Sequence, residues 1–596
     1  MYFDFIEADR IKPQGWLLKQ LETQANGLNG NLDKIWPDVR DSKWLGGECE
    51  GWERLPYFLD GFIPLAYLLR DEDKIARANK YVHCLLARQS EDGCFYPKGD
   101  EGKNGDIWSL FLILKVLTVY ADCSGETERI ENAVYKCLQF LNKYIDYKPP
   151  YEWAAARWYE CLISISWVYK RRKEAWLIYL AKRLKTFGFN FETAIELWKE
   201  KRPIWALDSH VVNVAMSLKS EIVYCELTGD KPTGLAERML EVLDKYHGTA
   251  YGHFTGDECL SGNSPIQGSE LCGIVEAMYS YEWLIACTGD SKWGDRLERL
   301  AFNGLPATIT TDMWAHQYDQ QVNQISCMVY DEDKNIFPTN HPDGNVFGLE
   351  PQFGCCTSNF GQGFPKFALS SYMEKDGKLV VISPVPMVVT LQNGTTVSCE
   401  SEYPFRLTFT FTATEDAEML VRVPSWTKPV FEQGEMESGW LKITLKKEVK
   451  TPVYFPAKVE LTDRPNGAKC VNYGALLFSL PIKGDKKIVE YEKNGVIRKF
   501  PYCDYEIKPV GEWRYAFTKS KFTVEEQEYD LPFDRENPPL VIKGEFAPVE
   551  WGYEKGYDLI VDKTAGSIRR GDNEILCMQP YGSTELRITE MKLLDK

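Results

Sequence analysis

The sequence predicts a multidomain α + β protein, in which an (α/α)6-type toroid of helical hairpins is followed by β-sandwich modules. Between residues 12 and 375 the apolar side chains recur with the helical period, and after residue 376 they alternate with a period of two. A chain of 596 residues is long enough for roughly two to four domains. One helical stripe contains Phe58, Phe62, Leu65 and Leu69, and residues 406–411 alternate as in a strand.

The helical half is built from a repeated unit whose ends share one form. Gly125, Gly229 and Gly289 each follow a helical run and precede a new polar helix start. Glycine readily adopts the left-handed conformation that closes a helix, so each position predicts a turn between two helices. Repeated hairpins within residues 12–375 predict a closed ring of paired helices. An open superhelix is the alternative, but irregular units with long loops favour the toroid.

The second half reads as short strands separated by turn residues. Residues 378–382 and 388–391 are rich in β-branched and aliphatic side chains, and Gly, Asn, Asp and Pro lie between such runs. We assign one β-sandwich to residues 376–480 and a second to residues 481–596. The alternating N-terminal segment 1–11 is expected to contribute a strand to these β-modules.

The overall composition limits the partners and the compartment of the protein. A net charge of −17 disfavours nucleic acid and anionic membranes, because both repel an acidic surface. No apolar run is long enough to span a bilayer, and the acidic start at residues 1–7 does not resemble a signal peptide. Seventeen cysteines without framework spacing favour a reducing compartment, so the expected location is cytoplasmic.

Two tight clusters bring thiols and a carboxylate together in the sequence. Cys355 and Cys356 are adjacent, and Glu270 and Cys272 stand two apart upstream. Three soft thiolates and one carboxylate make a tetrahedral zinc set. Adjacent cysteines do not form the knuckle of a zinc ribbon, so the pair favours chemistry over scaffolding. Two alternatives stay open, namely a purely structural zinc and a pair of buried cysteines that act as small hydrophobes.

A set of short segments along the helical half carries a resemblance to a known family. These segments are residues 11–17, 26–30, 44–47, 56–61, 205–213, 247–248, 256–258, 268–272, 317–323 and 347–351. Together with the Cys355-Cys356 pair, they resemble the zinc–cysteine β-L-arabinofuranosidases, glycoside hydrolase family 127. The resemblance spans most of the helical half and only loosely the strands.

The resemblance implies a retaining glycosidase whose nucleophile is a zinc-bound cysteine. By position, the zinc ligands are Glu270, Cys272, Cys355 and Cys356. Cys355 matches the nucleophile, and Glu258 or its neighbour Asp257 matches the acid/base. This carboxylate lies closer to Glu270 than in the best-known family pattern. We favour Glu258, because its longer side chain reaches further and a glutamate fills this role in the family.

The remaining residues that the resemblance assigns to the sugar site are His210, His247, Asp257, Glu298 and Tyr318. Each has an ordinary structural alternative. The histidines can be core residues with satisfied hydrogen bonds, Tyr318 a core aromatic and Glu298 a surface charge on a helix. Glu258 can be a solvated loop carboxylate or a helix cap.

The function expected on this basis is a cytoplasmic, zinc-dependent exo-glycosidase. It would remove terminal β-L-arabinofuranose from plant-derived oligosaccharides. One alternative is a glycosidase of the same fold that acts on another rare or acidic sugar of pectin, with Arg54 and Arg157 as candidate basic residues. Another is a non-catalytic carbohydrate-binding protein with structural zinc. A sugar epimerase is a weaker alternative, because such enzymes need no adjacent thiols. A homodimer through the β-modules is left open.

Overall fold

The helices of the protein lie almost entirely in its first 370 residues. This computed structural model describes residues 1–103, 105–201 and 204–594. The α-helices among them are α1 (Gly15–Asn26), α2 (Leu28–Ile35), α3 (Pro37–Arg40), α4 (Arg54–Leu69), α5 (Glu72–Ala87), α6 (Trp108–Ser124), α7 (Thr127–Tyr147), α8 (Glu152–Ala156), α9 (Glu160–Arg172), α10 (Ala175–Phe187), α11 (Val211–Ser217), α12 (Ser220–Thr228), α13 (Leu235–His247), α14 (Leu271–Thr288), α15 (Lys292–Arg299), α16 (Leu305–Ala307), α17 (Cys355–Asn359) and α18 (Gly363–Ser370).

Among the described helices, six form the inner wall of a closed ring. In order around the ring, α4 packs on α6, α6 on α9, α9 on α12, α12 on α14, α14 on α18, and α18 returns to α4. Helices α6 and α14 are buried on nearly every face, whereas the outer helix α7 buries one stripe that runs from Ile130 to Ile145. The predicted toroid of helical hairpins is therefore confirmed.

The glycine positions that predicted the hairpins close their helices as expected. Gly125, Gly229 and Gly289 have φ angles of 77°, 79° and 69°, in the left-handed region. Each donates its backbone N–H to a carbonyl of the preceding helical turn. A side chain at these angles would cost about 1–2 kcal/mol, which explains the choice of glycine.

The strands form three main sheets, and most of them follow the toroid in sequence. They are β1 (Asp4–Phe5), β2 (Ile11–Pro13), β3 (Ser269–Glu270), β4 (Asp319–Gln320), β5 (Tyr372–Lys375), β6 (Lys378–Val381), β7 (Met387–Thr390), β8 (Thr396–Ser401), β9 (Thr408–Ala413), β10 (Ala417–Arg422), β11 (Val430–Phe431), β12 (Glu435–Glu437), β13 (Trp440–Leu445), β14 (Thr451–Tyr454), β15 (Val459–Asp463), β16 (Ala468–Tyr473), β17 (Leu476–Pro481), β18 (Gly484–Val489), β19 (Tyr491–Lys493), β20 (Val496–Arg498), β21 (Asp504–Pro509), β22 (Tyr515–Glu526), β23 (Leu540–Glu550), β24 (Ile568–Arg569), β25 (Glu574–Pro580), β26 (Arg587–Ile588) and β27 (Met591–Lys592).

The first two sheets each have six strands, in the orders β1-β5-β6-β10-β13-β12 and β11-β14-β9-β8-β7-β2. Strand β9 of one contacts β13 of the other, and β9 buries every second residue, as a sandwich requires. The N-terminal segment supplies an edge strand to each sheet, because β1 pairs with β5 and β2 pairs with β7.

The third sheet has nine strands along the path β15-β16-β17-β25-β23-β22, with β24, β26 and β27 paired at its sides. It begins at Val459, so the division expected at residue 480 falls inside its strand β17. The limits of the folding units stay a prediction. The turn after β25 contacts strand β4 of the helical half, since Tyr581 donates its hydroxyl to Gln320 Oε1 at 2.6 Å. Among the described residues, no helix is both long enough and apolar enough to cross a membrane.

Candidate active site

The four predicted zinc ligands lie where two helices begin. Glu270 ends β3, and α14 starts with the next residue, so that Cys272 lies in its first turn. Cys355 and Cys356 are the first two residues of α17. Exposed N–H groups at a helix N-terminus favour negative charge, and this lowers the cost of a thiolate there. The two helices pack on each other and bring both clusters to one place.

The ligand atoms of these residues are close enough to share one ion. One sulfur or carboxylate oxygen from each of the four lies within 4.8 Å of all the others. Glu270 Oε1 is 3.9 Å from Cys355 Sγ and 3.8 Å from Cys356 Sγ. Among the described residues, Glu270 Oε2 has no hydrogen-bond partner although it is buried. A buried carboxylate facing three thiols suits zinc, which satisfies such an oxygen and prefers sulfur. The residues therefore fit the metal.

Cys355 differs electrostatically from its neighbours. Burial raises the pKa of Cys272, Cys356 and Glu270 well above their ordinary values. Burial also acts to raise the pKa of Cys355, but hydrogen bonds from Cys272, Cys356 and Tyr318 outweigh it and hold that pKa well below the ordinary thiol value. Within this cluster, Cys355 is therefore the thiol most easily ionised.

Glu258 and Cys355 both contact the hydroxyl of Tyr318. The Tyr318 hydroxyl donates to Glu258 Oε1 at 2.6 Å and lies 3.4 Å from Cys355 Sγ. On the other carboxylate oxygen, His210 Nε2 lies at 3.1 Å and the Trp205 indole N–H donates at 3.3 Å. The carboxyl group is thus held in place while Glu258 still lines the cavity.

Asp257 does not line the cavity that Glu258 lines. Its Oδ2 accepts the Thr339 backbone N–H at 2.8 Å and the Thr339 hydroxyl at 3.1 Å. The Asn340 side-chain amide donates one hydrogen bond to the Asp257 backbone carbonyl and one to the Asp319 carboxylate. Burial raises the pKa of Asp257. Asp257 therefore holds the loop that presents Glu258 through its Oδ2 and its backbone carbonyl.

A cavity of about 320 Å³ opens above the cluster. It lies at the N-terminal ends of inner helices, because Glu53 precedes α4, Arg157 precedes α9 and Cys272 begins α14. The lining residues are Trp52, Glu53, Tyr57, Trp153, Arg157, Trp205, His210, Val212, Glu258, Glu270, Cys272, Tyr318, Thr339, His341, Gln352, Phe353 and Cys355. Of the residues expected to contact substrate, His210 and Tyr318 are brought to it.

His247 has a different position from the one expected. Gly262 donates its backbone N–H to His247 Nδ1 at 2.9 Å, so the proton is on Nε2, which contacts the Trp198 carbonyl at 2.6 Å. Burial lowers the pKa of His247 to about 4. The neutral His247 side chain links the end of α13 to the segments that contain Trp198 and Gly262, and it does not line the cavity.

Glu298 also lies elsewhere. Its carboxylate contacts Arg422 at 2.5 Å and accepts the hydroxyls of Ser383 and Tyr403, each at 2.7 Å. All three partners come from the first two sheets or their connections, whereas Glu298 is on α15. Its role in the structure is to attach the toroid to the first sandwich. Arg54, which the sequence offered with Arg157 as a basic residue for an acidic sugar, contacts Asp38 and lies 3.6 Å from Glu350.

Several cavity residues were missed by the sequence analysis. Trp52, Glu53 and Trp153 were not predicted, and Arg157 was named only as a basic candidate for an acidic sugar. Glu53 accepts the Trp108 indole N–H at 2.7 Å and lies 3.4 Å from Arg157 Nη1. A signal was available, since both tryptophans lie shortly before an inner helix, at the end of the toroid where the thiols lie.

Comparisons with known proteins agree with the fold. No profile of a known protein family matches the chain, and no curated protein matches it. Solved structures do match over nearly the whole length. A β-arabinofuranosidase of glycoside hydrolase family 127 superposes with a TM-score of 0.69 at 13% identity, covering 99% of this chain and 98% of that one.

Two further structures give the same result. A family 127 β-L-arabinofuranosidase from Geobacillus stearothermophilus T6 has a TM-score of 0.71 and 15% identity, with 97% of this chain and 98% of that chain covered. A structure described as a glycoside hydrolase has a TM-score of 0.73 and 12% identity, with 100% and 98% covered. At these identities the similarity shows the fold alone. It confirms, for the fold, the resemblance to family 127.

Proposed function

We propose that the protein is a retaining exo-glycosidase, with Cys355 as nucleophile and Glu258 as acid/base, that removes terminal β-L-arabinofuranose. The main support for this proposal is that one tyrosine hydroxyl contacts both a thiol and a carboxyl group. Tyr318 lies 3.4 Å from Cys355 Sγ and 2.6 Å from Glu258 Oε1, beside a cavity that both residues line. Two such groups facing one space are what retaining hydrolysis requires. The shared fold with family 127 enzymes supports the choice of sugar.

In the first step the Cys355 thiolate attacks the anomeric carbon. The new C–S bond forms as the bond from that carbon to the leaving oxygen breaks, and Glu258 gives its proton to this oxygen. In the second step the Glu258 carboxylate takes a proton from water. The water oxygen attacks the anomeric carbon, the C–S bond breaks and the thiolate is restored. Two inversions at one carbon give net retention.

Glu270, Cys272, Cys355 and Cys356 would hold the zinc ion. When bound, it keeps the sulfurs deprotonated at neutral pH. The residues around Glu258 act separately: His210 and Trp205 hold one carboxylate oxygen and Tyr318 the other. A carboxyl group positioned in this way contributes about 10²–10⁴-fold as a general acid.

An acidic sugar is a second candidate, because Arg157 lines the cavity. Its guanidinium donates through Nε to Asn213 at 2.6 Å and lies 3.4 Å from Glu53. A uronate glycoside tested beside a β-L-arabinofuranoside separates this candidate from the neutral pentose. Cytoplasmic location and a homodimer stay predictions from the sequence.

The test is the variant Cys355→Ser, with Cys577→Ser as the control because Cys577 is an exposed thiol of the third sheet. Release of arabinose from synthetic β-L-arabinofuranosides should fall at least about 10³-fold in Cys355→Ser and stay unchanged in the control. Circular dichroism should show the same fold in both. A nitrophenyl β-L-arabinofuranoside, whose leaving group departs without protonation, should leave one pentose on the peptide that contains Cys355 in the Glu258→Gln variant, as seen by mass spectrometry. Full turnover by Cys355→Ser would refute the assignment.

A further inference from the structure

Four aromatic rings border the opening of the cavity, and we refer to Trp52, Trp153, Trp205 and Phe353 as the aromatic mouth. Trp205 is 44% exposed and Phe353 is 37% exposed, while Trp52 and Trp153 are half-buried. Single exposed apolar residues are ordinary on a protein surface, but rings that gather around one polar cavity mark a binding surface.

The rings of the aromatic mouth hold one another in place. Trp153 packs edge-to-face on Trp52 at 5.8 Å and on Trp205 at 5.6 Å between ring centroids. His210 lies against both Trp153 and Trp205, at 5.1 Å and 5.8 Å. Phe353 stacks under the Arg54 guanidinium at 4.8 Å. These contacts preorganise the rings, so little conformational freedom is lost when a ligand binds.

The position of Trp205 relative to Glu258 identifies what the mouth can bind. The Trp205 indole nitrogen is 3.3 Å from Glu258 Oε2. In the proposed reaction the leaving oxygen lies within hydrogen-bond reach of this carboxyl group. The group bonded to the leaving oxygen is therefore within reach of the Trp205 ring. The sugar that is cleaved off lies on the other side, toward Cys355.

We propose that the aromatic mouth, and Trp205 above all, is the binding subsite for a sugar ring in the leaving group. This inference rests on the proposed function. The apolar C–H face of a sugar ring packs on an indole face, whereas its hydroxyls need polar partners. His341, Gln352 and Thr339 line the same cavity and offer such partners. The subsite selects glycosides whose leaving group is another sugar over those with a small alcohol.

Two substrates with the same terminal sugar test the inference. Methyl β-L-arabinofuranoside and β-L-arabinofuranosyl-L-arabinose differ only in the leaving group. In Trp205→Leu both substrates lose what the indole N–H contributes at Glu258, and the disaccharide should lose about tenfold more in kcat/KM than the methyl glycoside, through KM. Phe500→Leu is the matched control, because Phe500 is also an exposed ring but lies outside the cavity.

Trp205→Phe separates stacking from the hydrogen bond to Glu258. The phenyl ring keeps an aromatic face but has no N–H, so it should retain most of the preference for the disaccharide. An equal loss on both substrates in Trp205→Leu would overturn the subsite and make Trp205 a positioning residue for Glu258. If the unaltered protein hydrolyses neither substrate, the proposed function fails. Turnover of both by the unaltered protein with no change in Trp205→Leu refutes the subsite alone.

Discussion

At the scale of single residues, Tyr318 joins the two groups that the proposed chemistry needs. Its hydroxyl reaches both Glu258 and Cys355, and its side chain is buried. Tyr318 binds Oε1 of Glu258, whereas Oε2 contacts His210 and Trp205 and is therefore the oxygen on the side of the aromatic mouth.

The variant Tyr318→Phe removes this hydroxyl without removing the ring. A hydrogen bond to a charged group is worth about 1.5–3 kcal/mol, so kcat should fall roughly 10- to 100-fold with KM little changed. Steady-state kinetics on an arabinofuranoside measures both constants. Tyr372→Phe is the control, because that buried hydroxyl donates to the Val385 carbonyl far from the thiols. A loss of activity under threefold would contradict the role given to Tyr318.

At the scale of elements, buried charges join the inner helices of the toroid below the cavity. Asp60 on α4 contacts Lys115 on α6 at 2.9 Å and Lys366 on α18 at 2.6 Å. Glu160 on α9 pairs with Lys219, and Lys115 lies 3.8 Å from Glu160. All five side chains are fully or almost fully buried. Such groups are tolerated only when paired, so each constrains where the next helix lies.

Replacing Lys115 by Met should destabilise the toroid by about 3–5 kcal/mol, because Asp60 loses one of its buried counter-charges. Urea unfolding followed by the helical circular dichroism signal reports on this half. The matched control is Lys378→Met, which breaks an exposed pair with Glu418 and should cost under about 1 kcal/mol. Equal effects of the two substitutions would show that burial does not decide the strength of these pairs.

At the scale of the whole molecule, three of the buried histidines each make the folded state sensitive to acid. Burial lowers the pKa of His247 to about 4, of His253 to about 3 and of His316 to about 4. In the unfolded chain a histidine takes up its proton near pH 6.5. At these three positions the unfolded state therefore binds more protons than the folded state between these pH values, so each histidine destabilises the folded state as the pH falls.

The contribution of these three histidines to the free energy of unfolding should be fully retained above about pH 6.5 and should decrease toward pH 4, whereas buried carboxyl groups such as Glu53 and Glu282, whose pKa burial raises to about 8, act in the opposite direction. At pH 5 each histidine accounts for roughly 2 kcal/mol of this loss. Denaturant titrations from pH 4.5 to 7.5 measure the dependence. His253→Leu removes one protonatable group, so its stability should fall less steeply with acid. His83→Leu is the control, because the His83 side chain is 41% exposed, whereas the three histidines above are buried. Parallel curves for His253→Leu and the unaltered protein would contradict this assignment.

The parts of the fold that the sequence predicted are those with a local cause. Gly125, Gly229 and Gly289 marked helix ends because the left-handed conformation is a property of one residue. Strand positions followed from the alternation of neighbouring side chains. The division near residue 480 depended on which strands pair across the chain, and β15–β17 pair within the third sheet. Periodicity cannot show such pairings.

For the site, the sequence by itself determined the candidate zinc ligands, because they stand as two short clusters whose chemistry is visible without a structure. It also placed Glu258, Asp257, His210 and Tyr318 among the candidates through the family resemblance. Only the tertiary structure decided which of the carboxylates faces the cavity, that Glu298 binds Arg422, and that His247 is held by backbone groups. The reason is physical: a side chain's role depends on the partners that folding brings to it, and these partners come from distant parts of the chain.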